Sequence, residues 1–463
     1  MEKNGGLRLT HLAGDRRVEL LLLLVGVILR VALYADYDPR YGYDYPDHAR
    51  NILWWTQNFT IPPIDWSRAA YHPPLYPLLA GLVARSTWTT PHDWAAISLF
   101  AGCLRLALIY VGLRLYLPGQ RMARIVALAI AVVLPASVHS DVMLTNEPLS
   151  GLLVMVALVL VPPSFRAQGR SRWLAGAALG LALGLAALVK VSALVIVAAV
   201  GLGTLVELAR NGEGGARGRL QRLAPILCGL TVFLLTSGWY FAHCQRHYGK
   251  FIVTGFDGPA RVGAARVAER PYFDRRPLSF FLGWNADIYA HPYYPSAVLP
   301  DARFFPVLVA TTFVDYYNYG LGGYPKPDEE FQMANRRQLR LALIWPARLS
   351  FAAGTLIALC TAVAWAVALV WTWKRRAYAM LGLLLVPFLA VAGQAHFAVA
   401  FPLDYQGLIK GSYLQFAAAP LDAVFGVAVA WLWQRRWGRP VALVLLAALA
   451  VVAAYVVFCL ALP

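Results

Sequence analysis

Two aspartates and a histidine directly follow the first strongly apolar segment, in the stretch YGYDYPDHARNILWW at residues 41–55. Carboxylates and imidazoles are groups that proteins use to accept and donate protons. His48 comes four residues after Asp44, so the two would share one face of a helix if this stretch is helical. Asp47 is a second carboxylate in the same motif. The stretch is therefore a candidate for acid–base chemistry.

Three further polar features interrupt otherwise apolar sequence. His72 lies in YHPPLY, Asn146 and Glu147 lie in LTNEPL, and Lys190 stands in a tight turn between two apolar runs. Ionisable groups within or beside membrane segments are costly and usually mark function. If all of these features face the same side of a membrane, they could form a single site.

Each of these residues also has a simpler interpretation. The two aspartates could be solvated loop acids, and His72 could be an interfacial polar residue. Asn146 could cap the helix that follows, with Glu147 interacting with its dipole. Lys190 could extend from a helix end towards the lipid headgroups. The occurrence of all four features on one predicted face favours the shared site.

The elements that must position these residues are membrane helices. With 59% hydrophobic and only 14% charged residues, the chain has too little polar surface for a soluble domain. Apolar runs of about 20 residues, each long enough to cross a bilayer, recur from residue 18 almost to the end. The first run has no small-residue cleavage site and is predicted to stay as an anchor. Hydropathy predicts an all-α polytopic protein with about eleven spans, near residues 17–35, 94–116, 122–138, 147–164, 172–189, 191–209, 223–241, 347–373, 377–397, 413–433 and 440–462.

Basic clusters between the spans then predict the topology, since loops rich in lysine and arginine stay in the cytoplasm. All the clusters fall on one face if residues 73–85 do not cross the membrane, which places the N-terminus inside and the C-terminus outside. The formal net charge of +17 thus has a membrane explanation, and nucleic-acid binding is not expected.

This topology divides the chain into three parts. Residues 1–242 form an N-terminal membrane module that includes a first external loop at 36–93. A second external region covers 243–346, and residues 347–463 form the C-terminal membrane helices. Both loops are expected to carry helices that lie at the membrane interface.

Several of these motifs together resemble a known family. The DYPDH motif after the first span, the external HPPLY, the NEP at a later span start, ALVKVSAL, and IKGSYLQFAAAPLDAVFGV near the end are similar to motifs of the GT-C integral-membrane glycosyltransferases. The likeness is greatest to bacterial relatives of the protein O-mannosyltransferases and of the aminoarabinose transferase that acts on lipid A. It covers most of the chain.

The resemblance implies a GT-C fold and an inverting transfer of one sugar from a polyprenyl-phosphate donor to a lipid, glycan or protein acceptor hydroxyl at the external face. By position, Asp44 corresponds to the family's catalytic base, with Asp47 in reserve. A carboxylate suits this step because it must accept the proton of the attacking hydroxyl. In a bacterium the chain would lie in the inner membrane, with the site on the periplasmic side.

Cations suit the departing lipid phosphate, and His72, Lys190 and Lys410 are the candidates for this role. Substrate binding is assigned to Asp47, His48, Asn146, Glu147 and Tyr413. Two positions depart from the family pattern: His72 stands where lysine is frequent, and Ser412 where arginine is frequent. Lys410 could compensate for the second departure.

A divalent metal could bind an oxygen set formed by Asp44, Asp47 and Glu147. The resemblance implies metal independence, so no cofactor is expected to be required. Tyrosines in the second loop could stack on sugars or form an interfacial aromatic belt. They are Tyr272, Tyr289, Tyr293, Tyr294, Tyr316, Tyr317, Tyr319 and Tyr324.

Two other functions remain open. A transporter or flippase of a polyprenyl-linked sugar would also need external polar residues, but should place ionisable groups along a mid-membrane pathway. Arg30 and Arg105 are the main intramembrane exceptions here, and Arg105 could either reach the site or support it structurally. A polymerase or ligase that transfers a longer glycan from a diphosphate carrier is the other alternative.

Overall fold

The computed structural model describes residues 16–42, 44–86, 90–166, 170–210, 215–255, 257, 270–292, 303–314, 343–402 and 409–461. In this part of the chain no residue lies in a β-strand. The α-helices are α1 (Arg17–Asp36), α2 (Tyr45–Asn58), α3 (Leu75–Arg85), α4 (Pro91–Tyr116), α5 (Arg121–Val133), α6 (Pro135–Ser140), α7 (Glu147–Arg166), α8 (Arg170–Val189), α9 (Leu194–Arg210), α10 (Gly215–Tyr248), α11 (Leu278–Leu282), α12 (Asp287–Ala290), α13 (Phe304–Phe313), α14 (Ile344–Lys374), α15 (Tyr378–Ala400), α16 (Ala418–Trp433) and α17 (Arg439–Tyr455). Short 3₁₀ helices lie at Pro39–Tyr41, Val191–Ala193, Tyr272–Asp274 and Gly411–Ala417, and a π-helix lies at Val456–Ala461.

Among the described residues, eight helices are long and apolar enough to cross a membrane. They include α1, α4, α8, α14 and α17, and their number and apolarity make the chain an integral membrane protein. Two of the other three predicted spans contain shorter apolar helical stretches, at Glu147–Pro162 and Val191–Val206. The third contains α5, which has 13 residues. Helix α3 has only 11 residues, so it is too short to cross, as the topology requires.

The predicted span at 122–138 is broken rather than continuous. Helix α5 ends at Val133, and α6 begins at Pro135, whose ring cannot continue the preceding hydrogen-bond ladder. From Leu134 to Glu147 every side chain is buried. This buried segment places polar residues, including Ser140, Asp141 and Asn146, in the interior of the bundle.

The second predicted external region contributes to the main hydrophobic core. Helix α13 buries Phe304, Val307 and Phe313 in that core. A side chain at Gly354 of α14 would collide with the ring of Phe313, so the two helices pack closely only because residue 354 is glycine. Helix α13 is therefore anchored in the membrane bundle.

Helices α2 and α3 form a second, smaller core at one end of the bundle. Ile52 and Trp55 of α2 are buried, Ile52 in a cluster with Tyr76 and Ala80 of α3. On the same helix, Leu53 is 43% exposed. The apolar residues of α2 thus divide between the protein and the surroundings, and the first loop is packed down onto the ends of the spans.

Candidate functional site

Asp44 lies directly before the first residue of α2, with its backbone in the left-handed conformation at φ 57° and ψ 16°. Aspartate is one of the few residues other than glycine that adopt this conformation with any frequency. The Asp44 carboxylate does not cap the helix. Its Oδ2 lies instead 3.3 Å from the Nζ of Lys410, and the Asp44 side chain is 40% exposed. Asp44 is therefore an accessible carboxylate beside a buried ammonium group.

The imidazole rings of His48 and His72 stack on each other near Asp44. Their ring centroids lie 5.6 Å apart and the planes differ by 4°, while Tyr76 meets His48 edge-on. The His48 backbone N–H donates to the Asp44 carbonyl oxygen at 3.0 Å, which confirms the helical relation predicted for these two residues. Burial lowers the pKa of His48 to about 4, although the charge of Asp44 opposes the shift.

The pKa of His72 is also lowered well below its usual value, by burial and by the nearby His48 and lysine ammonium groups. Both imidazoles are therefore neutral at pH 7. Without a bound anion, a neutral His72 offers hydrogen bonds rather than positive charge, and its contact with a donor phosphate stays a prediction. The charge at this site comes from lysines.

Lys190 is held by an ion pair with Glu147 at the start of α7. Its side chain is 13% exposed and that of Glu147 is 3% exposed. Burial lowers the pKa of Lys190, and the adjacent Glu147 carboxylate opposes this shift. Next to Glu147, the amide of Asn146 donates to the Val189 carbonyl at 3.2 Å. Asn146 and Glu147 together fix the turn that carries Lys190.

Tyr413 brings the two lysines together. Lys190 Nζ lies 4.2 Å and Lys410 Nζ 4.9 Å from the centroid of its ring. Tyr413 belongs to the 3₁₀ segment Gly411–Ala417, whose first N–H donates to the Thr311 hydroxyl at 2.9 Å. The aromatic face stabilises both ammonium groups at short range.

Asp47, the second carboxylate of the motif, faces a different partner. Its Oδ1 accepts the backbone N–H of Arg68 at 2.8 Å. Burial raises the pKa of Asp47, and the nearby Asp44 carboxylate contributes to the rise. Asp47 therefore helps to fix the loop around Arg68, whereas Asp44 contacts the lysine side.

A buried ionic network supports the site from within the bundle. Asp141 is fully buried and accepts Arg30 Nε at 2.6 Å and Arg105 at 3.0 Å. Arg105 also donates to the Gln415 side chain at 2.7 Å, and Gln415 donates to Ser140. The two arginines anticipated as intramembrane exceptions thus share one carboxylate, and Arg105 has a structural role next to the Tyr413 segment.

Sequence reasoning missed Asp141 and Gln415. A signal for Asp141 existed, because buried arginines require a carboxylate at a similar depth and Asp141 follows shortly after the predicted span at 122–138. Gln415 gave no comparable signal, since its neutral amide forms part of an otherwise apolar helix start. Its role depends on the distant position of Arg105.

Among the described residues there is no cluster of three or more His, Cys, Asp or Glu side chains that could hold a metal. The three carboxylates considered for one have separate partners, namely Lys410, Arg68 and Lys190. The expectation that no cofactor is required remains a prediction.

Two of the candidate sugar-stacking tyrosines are described, and both have other contacts. Tyr289 stacks on Phe351 at 4.2 Å, and the Tyr272 hydroxyl lies 2.7 Å from His396 Nδ1. The other six, Tyr293, Tyr294, Tyr316, Tyr317, Tyr319 and Tyr324, lie outside the described residues.

No protein-family model matches the sequence, and no curated protein is detectably similar to it. Among solved structures, the chain is similar to the Archaeoglobus fulgidus oligosaccharyltransferase. The apo form has a TM-score of 0.52 at 15% identity, covering 98% of this chain and 56% of that one. The form tethered to an acceptor peptide containing the NVT sequon has a TM-score of 0.51 at 14% identity, covering 97% and 55%.

The chain thus spans about half the length of the oligosaccharyltransferase. ArnT from Cupriavidus metallidurans in the apo state gives a TM-score of 0.42 at 15% identity, covering 89% of this chain and 76% of that one.

At sequence identities this low, the similarity to the oligosaccharyltransferase shows a shared fold and nothing about activity. The predicted class, an all-α polytopic membrane protein with a GT-C fold, is confirmed.

Proposed function

We propose that this protein is a glycosyltransferase that moves one sugar from a polyprenyl-phosphate donor to an acceptor hydroxyl at the external face of the membrane. The observation that carries the proposal is the contact between the accessible Asp44 carboxylate and Lys410, with Lys190 and Lys410 both close to the Tyr413 ring. A base and two ammonium groups at the end of a membrane bundle match the needs of a lipid-phosphate donor.

In the proposed reaction the acceptor oxygen attacks the anomeric carbon and gives its proton to Asp44. The bond between that carbon and the phosphate oxygen breaks, and its electron pair stays on the phosphate. The leaving phosphate is a stable anion, so no general acid is needed. A single displacement of this kind inverts the anomeric centre.

Lys410 and Lys190 then stabilise the charge that develops on the phosphate. When no donor is bound, Lys410 Nζ lies 3.3 Å from Asp44 Oδ2 and balances the charge of that carboxylate. A donor phosphate competes for the same ammonium group and leaves Asp44 with its lone pairs available to the acceptor. The neutral His72 would donate a hydrogen bond to the phosphate or the sugar.

The roles of the remaining residues follow from their contacts. Glu147 holds Lys190 in place, and Asn146 fixes the turn that Lys190 occupies. Tyr413 holds the two ammonium groups near its ring, where both could contact one anion. His48 supports His72 through ring stacking. We propose that the reaction requires no metal.

The test compares wild type with Asp44→Asn in nanodiscs, using a panel of radiolabelled polyprenyl-phosphate sugars and a membrane extract as acceptor source. Asparagine also tolerates the left-handed conformation, so this variant changes the charge without straining the backbone. We expect transfer to fall by about 10²-fold or more, as for loss of a general base, while donor binding survives. Asp65→Asn, an exposed aspartate of the same loop, is the matched control.

Equal transfer by wild type and Asp44→Asn would exclude Asp44 as the base and direct attention to Asp47. Donor binding or translocation by both proteins without any transfer, in an extract shown to contain a competent acceptor, would favour the transporter alternative. A Lys410→Gln variant separates the roles further, because it should weaken donor binding as well as transfer.

A further inference from the structure

A large cavity lies within the membrane-spanning part of the bundle, among α4, α7, α14, α15, α16 and α17. Its volume is about 1060 Å³, which is at the upper end of the roughly 300–1,000 Å³ usual for ligand sites. The lining is almost wholly apolar; the hydroxyl and amide groups belong to Tyr116, Gln120 and Thr372. An apolar space of this size inside a bilayer suits hydrocarbon chains.

The cavity extends away from the candidate functional site. On α16 its lining runs from Ala419 to Leu432, about 20 Å along the helix at 1.5 Å per residue. The far end is lined by Trp371 and Trp431, close to the C-terminal ends of α14 and α16. On α14 the lining residue Val363 is 67% exposed, so the cavity is accessible from the lipid side. The end of the cavity at Trp371 and Trp431 is therefore the end towards the membrane face opposite the site.

Two arginines stand at this far end. The Arg435 guanidinium lies 4.2 Å from the Trp431 ring centroid, and that of Arg375 lies 5.7 Å from the Trp371 ring centroid. Both arginines are exposed, and in the described part of the chain neither forms an ion pair with an acidic residue. A cation–π contact depends on the charge of the guanidinium and uses no conventional hydrogen bond, so these contacts are compatible with N–H donation to an anion.

We propose that this cavity binds an anionic phospholipid from the leaflet opposite the functional site. Its acyl chains would occupy the apolar space and its phosphate would contact Arg375 and Arg435. This is the face that the basic clusters predict to be cytoplasmic, where anionic lipids accumulate and basic pockets between membrane helices bind their headgroups. The proposal does not depend on the glycosyltransferase activity.

The test is native mass spectrometry of the purified protein with an equimolar mixture of dioleoylphosphatidylglycerol, dioleoylphosphatidylcholine and undecaprenyl phosphate. We expect retained phosphatidylglycerol to exceed phosphatidylcholine by about fivefold for each arginine engaged. Arg375→Gln combined with Arg435→Gln should bring the two lipids close to parity. Arg172→Gln, a basic residue of the same predicted face outside the cavity lining, should preserve the preference.

Ala364→Phe fills the cavity and should reduce retention of the phospholipid, whereas Ala362→Phe, an exposed position of the same helix outside the lining, should not. Equal retention of the two phospholipids by wild type would overturn the proposal. So would dominant retention of undecaprenyl phosphate that Ala364→Phe abolishes, because the cavity would then hold the lipid carrier. If Ala364→Phe fails to fold, the arginine variants, which change only exposed side chains, decide the question.

Discussion

At the scale of single residues, the chemical state of the site depends on local backbone geometry and burial. Asp44 turns its carboxylate away from α2 because its left-handed backbone places the side chain beside Lys410. A β-branched residue could not hold this conformation without strain. His48, one turn later, is buried and neutral. Within five residues the chain therefore supplies one accessible anion and one imidazole that resists protonation.

The buried His48 should make the stability of the protein sensitive to acid. Its pKa is about 4 in the folded protein and 6.5 in the unfolded chain, so the unfolded chain binds more protons between these values. The free energy of unfolding should therefore fall as the pH drops from about 6.5 towards 4, by roughly 3 kcal/mol from this residue. Thermal unfolding in detergent across this range measures the effect.

In His48→Asn the loss of stability on acidification should shrink by about one proton's contribution, since asparagine does not titrate. The matched control is His291→Asn, which removes an exposed histidine. An unchanged pH dependence in His48→Asn would show that other groups, such as His72, account for the whole effect.

At the scale of elements, the segment Gly411–Ala417 is positioned by contacts from inside the bundle. Gln415 joins it to Arg105 of α4, and the carboxylate of Asp141 joins Arg105 to Arg30 of α1. A buried ion pair is expensive to form, and breaking one leaves an uncompensated charge. We therefore infer that this network fixes the position of Tyr413 and the residues next to it.

Gly102 of α4 provides a test of this support. A Cβ at residue 102 would collide with the carboxylate of Asp141, which must then move away from its arginines. We expect Gly102→Ala to cost about 1–3 kcal/mol of stability through overpacking. Transfer should fall by up to about 100-fold in the folded protein, because the Tyr413 segment shifts.

Thermal unfolding and transfer assays on the same preparations measure both effects. Gly393→Ala is the control, because a Cβ at that helical position meets no atom within 4 Å. Wild-type stability and activity in Gly102→Ala would contradict the positioning role of the network.

At the scale of the whole molecule, two ionic clusters lie at different depths along the same helices, α1 and α4. Glu19 near the start of α1 is 1% exposed and accepts Arg114 at 2.8 Å and Arg124 at 2.8 Å. Arg30 lies eleven residues further along α1, about 16 Å away at 1.5 Å per residue. The Glu19 cluster joins α1, α4 and α5 on the face opposite the candidate site.

Glu19→Gln should therefore separate stability from function. Two partly desolvated arginines would lose their carboxylate, and we expect a cost of roughly 3–5 kcal/mol in the free energy of unfolding. The surviving folded protein should transfer sugar at close to the wild-type rate, because the site lies at the other end of the spans. Thermal unfolding and a transfer assay below the melting temperature check both expectations.

Lys250→Gln is the control for this prediction. It removes an ion pair in which the lysine side chain is 59% exposed, so the cost should be about 1 kcal/mol or less. A similar small cost in Glu19→Gln would mean that water reaches the cluster. A loss of transfer much larger than the loss of folded protein would mean that the two ends are coupled.

The sequence by itself determined that the chain lies in a membrane and that its fold is all-α, and it supplied the candidate site residues. Long apolar runs can only be membrane helices, because lipid requires every backbone group to be bonded within its own segment. The same reasoning showed that Asp44, Lys190 and Glu147 needed an explanation, since ionisable groups near lipid are expensive. It also correctly limited residues 73–85 to a helix too short to cross.

The tertiary structure decided which of these residues meet. Lys410 contacts Asp44 across 366 positions of sequence, and Arg105 reaches Gln415 across 310. No local pattern encodes such contacts, because they depend on how distant helices pack. The pairing of Glu147 with Lys190 and the neutral state of His72 have the same origin: burial and neighbouring charges arise only when the helices assemble.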